Sequence, residues 1–261
     1  HTRYDAQLQS DIETVARNVS PGFVRTAQST AALGRDAADA IAAARGLPGQ
    51  VATLILPADV SWGEGGQPCP PPAAPAPAAA SDEAVQAVAQ AIRSGEKTIV
   101  LLGGHALREG ALRTAARIAA HSGAQLLAEV FPTRMERGAG LPAVERVAYL
   151  AELAGVQLAG ARHLVLVDAK SPVSFFAYPG KASDLVPEGC AVHTLSSPAQ
   201  DAAASLGKLA AALGATAEPP LAPARRPERP RGPLTAPKVC KAVGHLLPGN
   251  AIVIDEAITS G

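Results

Sequence analysis

Apolar residues along the middle of this chain change their spacing repeatedly, and each change marks a new element. Val85, Val88, Ala89 and Ile92 recur at helical intervals behind Ser81-Asp82-Glu83, a sequence suited to open a helix. The run from 98 to 102, Thr-Ile-Val-Leu-Leu, has no polar break in its apolar part and stops at Gly103-Gly104, as a strand buried on both faces does. Leu107, Ala111, Ala115, Ile118 and Ala119 then mark one face of a second helix, closed by Gly123. The alternation continues with a strand at 125 to 130, a mostly helical stretch from 144 to 158, strands at 163 to 167 and 191 to 195, and an alanine-rich helix from 199 to 213. Strands separated by helices need crossover connections, hence parallel pairing with helices on both faces. The pattern predicts a doubly wound, Rossmann-like α/β domain over 82–215.

Two proline-rich tracts flank that domain, at 63–81 and at 216–234, the second carrying Arg225, Arg226, Arg229 and Arg231. Proline lacks a backbone donor, so both read as semi-extended linkers, with the arginines as solvated surface. Residues 1–62 form a half-unit of the same kind: Ser10-Asp11 caps a short helix, Ser29-Thr30 caps a longer one through Ala44, and 51 to 56 is an apolar strand stopped by Pro57. Residues 235–261 begin a further unit, with a strand at 251 to 254. Residue 1 is histidine and the sole methionine is Met135, so the expectation is a fragment, with uncovered apolar edges at Val51 to Leu56 and Ala251 to Ile254.

Composition narrows the partners. Lysine plus arginine and aspartate plus glutamate each number 23, which removes the electrostatic case for nucleic acid or an anionic membrane and leaves a small molecule as the expected partner. No apolar run approaches the roughly 20 residues of a membrane span, and the expected location is cytoplasmic. Cys69, Cys190 and Cys240 are too far apart for zinc-site spacing and read as reduced thiols.

Several segments together resemble the thiamine-diphosphate-dependent enzymes of the acetolactate synthase and benzoylformate decarboxylase type. Leu8-Gln-Ser-Asp-Ile12 with Val19-Ser20, followed by Gly49-Gln-Val51 and Leu56-Pro-Ala-Asp-Val60, is similar to the close of that family's pyrimidine-binding domain. Residues 84 to 213, above all Val167-Asp-Ala-Lys-Ser-Pro-Val-Ser-Phe-Phe-Ala-Tyr-Pro-Gly180, are similar to its central domain. Ile252-Val-Ile-Asp-Glu-Ala-Ile-Thr-Ser260 is similar to the opening of its diphosphate-binding domain. The resemblance implies a parent that binds thiamine diphosphate and magnesium, decarboxylates a 2-oxoacid with or without carboligation, and forms homodimers or homotetramers. In that family an early glutamate activates the cofactor and a late motif containing Gly-Asp-Gly holds its diphosphate. The tripeptide is absent here and the glutamate's region precedes His1, so this polypeptide alone is expected to be inactive and to carry neither cofactor nor metal.

Four groups of residues remain as candidates. The resemblance places Thr259 and Ser260, in the turn after the last apolar run, beside the cofactor's diphosphate. Gly103 and Gly104 follow a predicted strand where a helix N-terminus receives phosphate. Some relatives hold FAD or ADP on the central domain, although the run at 167 to 180 departs from the arginine-and-aspartate-rich sequence of FAD-binding acetolactate synthases. Phe175, Phe176 and Tyr178 sit in the loop that approaches the substrate pocket in benzoylformate decarboxylase-like relatives. Scattered histidines and Glu256 read as structural. The competing reading is a non-catalytic nucleotide-binding or interaction module on the same scaffold, since fold does not fix function.

Overall fold

A computed structural model describes residues 2–256. The first unit contains α1 (Ile12–Arg17), β1 (Val24–Thr26), α2 (Thr30–Arg45), β2 (Thr53–Ile55) and α3 (Ala58–Trp62). Asp11 and Ser29 cap α1 and α2 by accepting the N–H groups of Thr14 and Ala32, as their positions before each helix require. β1 and β2 pair in parallel, Val24 opposite Thr53 and Thr26 opposite Ile55. Arg25 ties this sheet to α2 through Asp36 and Asp39, at 3.0 and 2.7 Å. Two short strands cannot bury all of the unit's apolar surface: Ile41, Val51, Leu56 and Trp62 stay exposed.

The larger unit runs through α4 (Asp82–Arg93), β3 (Thr98–Leu102), α5 (Glu109–Ser122), β4 (Gln125–Ala128), β5 (Glu145–Arg146), α6 (Ala151–Leu158), β6 (His163–Val167), β7 (Ala191–Ser196) and α7 (Ala202–Leu213). Its five strands are all parallel, in the order β5-β4-β3-β6-β7. The chain therefore builds outward from β3 in one direction and from β6 in the other, which places a topological switch point between these two strands. Side chains alternate as a pleated sheet demands. Val100, Leu102, Val165 and Val167 join the core under α4, α5 and α7, while Ile99, Leu101, Leu164 and Leu166 join the core under α6. Gly123 ends α5 and Gly214 ends α7, both in the left-handed conformation that glycine adopts without strain.

Two sequence expectations require correction. The stretch from 144 to 158 is not one helix, because Glu145 and Arg146 pair with Leu127 and Ala128 as a two-residue edge strand before α6 begins. An exposed edge strand of polar residues carries no alternating signal, so the apolar residues around it read as helical. Nor does 251 to 254 form a strand. No described strand lies alongside to pair with it, and Ile252, Val253 and Ile254 are exposed. After the second proline-rich tract the chain forms α8 (Ala236–Leu246), which buries none of its residues. No helix among the described residues is long and apolar enough to cross a membrane.

Candidate functional site

The C-terminal edge of the five-stranded sheet gathers the chemistry-bearing residues, as open α/β sheets do at a switch point. At its centre lies the turn after β3. Gly103 donates its N–H to Val167 O at 3.0 Å, and a Cβ on it would sit 2.3 Å from Asp168 O. Only glycine permits β3 and β6 to approach this closely. Gly104 has φ +40 and opens a short 3-10 turn ending at Leu107.

Two carboxylates fill this turn. Glu129, just past β4, accepts the Gly104 N–H at 3.1 Å, and Asp168, just past β6, accepts the His105 N–H at 2.6 Å. Asp168 is buried and sits at φ 51, a left-handed conformation that aspartate tolerates better than most residues. Its Oδ2 also lies 3.4 Å from His105 Nδ1. Burial pushes the Glu129 pKa up, the Gly104 hydrogen bond opposes that, and the neighbouring Asp168 adds to the rise. The two backbone donors that a nucleotide phosphate would use are thus held by the protein's own acids, whose charge repels an anion. These residues do not fit a nucleotide diphosphate at Gly103-Gly104.

Five aromatic rings cluster on one side of the turn. Phe175, Phe176 and Tyr178 come together in the loop after β6, where Val173 bridges Asp184. They meet Phe131 and Tyr149, with neighbouring ring centroids 4.8 to 5.8 Å apart. Every one of the five is exposed. Sequence reading named the first three and missed Phe131 and Tyr149. Each of these two lies three residues past a strand end, a position on the ligand-binding edge that could have flagged them. Beside the rings is a cavity of about 340 Å³ whose walls include Phe131, Tyr149 and Arg146. Arg146 was likewise missed.

Thr259 and Ser260 lie outside the described residues. No group of three or more potential metal ligands exists among the described residues. At the opposite edge of the sheet, Glu96, His163 and His193 form a chain, with 3.2 Å from Glu96 Oε2 to His163 Nε2 and 3.1 Å from His163 Nδ1 to His193 Nε2. Burial, then the neighbouring His163, lowers the His193 pKa.

Comparison with known proteins gives these features a lineage. The chain is 52% identical, over all 261 residues, to a Mycobacterium tuberculosis protein named "Putative acetolactate synthase large subunit IlvX", of which it covers 50%. Its fold matches a solved Mycobacterium smegmatis protein, titled a putative thiamin diphosphate-dependent enzyme, with TM-score 0.67 at 19% identity; the match covers 95% of this chain and 51% of that one. It also matches the thiamine diphosphate-dependent 4-hydroxybenzoylformate decarboxylase of Rhodococcus jostii RHA1, with TM-score 0.64 at 15% identity, over 90% of this chain and 47% of that one. The benzoylformate decarboxylase of Polynucleobacter necessarius gives TM-score 0.60 at 18% identity, with the same coverage of 90% and 47%. No family model matches. The resemblance to thiamine-diphosphate-dependent enzymes of the acetolactate synthase and benzoylformate decarboxylase type therefore holds. The chain spans about half the length of the relatives it matches.

Proposed function

We propose that the chain is the middle part of a thiamine-diphosphate-dependent enzyme that decarboxylates a 2-oxoacid, with or without joining the product to a second carbonyl compound. Identity of 52% along the whole chain to an acetolactate synthase-like protein carries this reading. On it, residues 1–62 close the pyrimidine-binding domain, 82–215 are the central domain, and 235–261 open the diphosphate-binding domain, with the proline-rich tracts as connections. Thr259 and Ser260 would then stand on the diphosphate side. Thiamine diphosphate, held with magnesium in the parent, supplies the electron sink for the chemistry.

This chain's own residues serve as scaffold and wall. The five-ring cluster would face the substituent of the 2-oxoacid, where aromatic side chains exclude water and favour an apolar group. Because the sequence lacks Gly-Asp-Gly and the family's activating glutamate would precede His1, the isolated 261-residue chain should bind it negligibly. Calorimetry tests both halves of the proposal. The full-length protein should take up thiamine diphosphate in the presence of magnesium and release carbon dioxide from pyruvate or benzoylformate. Micromolar binding by the isolated chain would refute its assignment as an incomplete unit, and a full-length protein that binds no cofactor would refute the enzyme reading.

A further inference from the structure

Near the N-terminal ends of the strands, away from the ligand-binding edge, β6 and β7 place two imidazole rings side by side. His163 and Val165 share one face of β6, and Val165 lies opposite His193 in the parallel register, so both rings stand on the face that carries α4 and α7. β7 ends the strand order, which leaves the pair at the border of the sheet with neither residue fully buried. His163 Nδ1 and His193 Nε2 are 3.1 Å apart. Two imidazole nitrogens at that separation, each about 2.0–2.1 Å from a shared divalent metal, subtend about 100° at it, between the square-planar and tetrahedral angles.

A second feature fits the same use. Glu96 Oε2 lies 3.2 Å from His163 Nε2, the ring nitrogen that does not face His193. Histidines that ligate metals donate their outer N–H to a carboxylate in this way, which fixes the tautomer and raises the basicity of the ligating nitrogen. With its proton on Nε2 for Glu96, His163 presents the Nδ1 lone pair to His193, and His193 donates Nε2–H to it. Loading His193 Nε2 with a metal requires only that this proton move to Nδ1 of the same ring, with no proton lost overall. Of the flanking cations, Arg162 Nε lies 3.6 Å from the other Glu96 oxygen, and Lys97 Nζ donates to Ala159 O at 2.6 Å.

We propose that His163 and His193 chelate a divalent transition-metal ion, with water in its remaining positions. Imidazole suits copper, nickel and zinc, whereas magnesium and calcium take oxygen ligands. Two protein nitrogens leave the coordination sphere open, so the ion exchanges with solvent and is held more weakly than in a four-ligand structural site. This site is separate from the magnesium of the thiamine diphosphate reading and survives the failure of that reading.

Calorimetric titration of the tag-free 261-residue chain with nickel(II), chosen because it does not oxidise the free thiols, tests the proposal. Nickel should bind with saturation at micromolar concentration, and magnesium should not bind in the same range. His163→Gln, His193→Gln and the double variant, each with its fold verified by circular dichroism, should all weaken nickel by about tenfold or more and to the same extent, because the chelate is lost once either nitrogen goes. His121→Gln and Cys190→Ala should leave the affinity unchanged. Absence of nickel binding, equal binding of magnesium, unchanged affinity in the single variants, losses that add in the double variant, or a loss in His121→Gln or Cys190→Ala equal to that in His193→Gln would each overturn the proposal. If the variants do not fold, the wild-type chain decides by nuclear magnetic resonance: paramagnetic broadening of the His163 and His193 ring protons at substoichiometric nickel supports the site, and broadening confined to other residues overturns it.

Discussion

Substituting Gly104 by alanine tests whether the carboxylate-filled turn is as tightly built as its geometry indicates. The added Cβ would lie 2.4 Å from Asp168 Oδ2, 2.7 Å from its Cγ and 2.9 Å from its Oδ1, all closer than real Cβ contacts. The backbone at φ +40 adds about 1–2 kcal/mol of left-handed strain for any residue with a Cβ. Relief requires the Asp168 carboxylate to leave the His105 N–H, a charge-assisted hydrogen bond of about 1.5–3 kcal/mol. The expected loss is therefore about 2.5–5 kcal/mol, a large share of a typical domain's stability. Gly95→Ala is the internal control, since Gly95 has φ +75 and no atom within 4 Å of the place its new methyl would occupy, so it suffers the backbone strain alone. Urea unfolding followed by circular dichroism should separate the two variants by about 1.5–3 kcal/mol. In an Asp168→Ala background, the cost of Gly104→Ala should fall to that of Gly95→Ala. Variants at Gly104 and Gly95 that agree within about 0.5 kcal/mol would show that the turn relaxes freely and that the reasoning is wrong.

Three further outcomes follow from the same geometry. Glu129 has a raised folded pKa, so the folded state binds the extra proton and stability declines as pH rises from the unfolded carboxylate value through the raised one; Glu129→Gln should flatten that decline, and a wild type and variant whose urea midpoints change equally between pH 4 and 7 would contradict it. His193 has a lowered folded pKa, so stability should be lost as pH falls below about 6.5, and His193→Gln should remove that loss in unfolding curves between pH 7 and 5. ADP should show no calorimetric binding at the Gly103-Gly104 turn of the wild-type chain, and saturable micromolar binding abolished by Gly104→Ala would show that Glu129 and Asp168 yield to phosphate.

Much of the fold was legible because its signals are local. The run Thr98 to Leu102 is buried at every position, so an unbroken apolar stretch was the expected trace of a central parallel strand. Ser81, Asp11 and Ser29 stand where the caps form, since a helix start is decided within four residues. β1 and β5 were invisible for the opposite reason. Val24 to Thr26 and Glu145 to Arg146 exist only by pairing with partners elsewhere in the chain. The site was legible in outline and not in its contacts. Glycines after a strand mark a turn, but nothing local announces that an aspartate 63 residues further on will occupy the His105 donor.

The sheet edge divides by charge, and that division constrains what can bind. The central turn presents Glu129 and Asp168, and the aromatic cluster presents exposed rings. A dinucleotide laid along this edge would need phosphates at the acidic turn, where two hydrogen-bonded carboxylates already satisfy the backbone. Displacing both would leave acids stripped of their donors beside added negative charge, a cost that buried polar groups make several kcal/mol. An apolar substituent against the rings meets no such opposition. The edge therefore opposes an extended nucleotide at its acidic turn and leaves the exposed rings open to an apolar group.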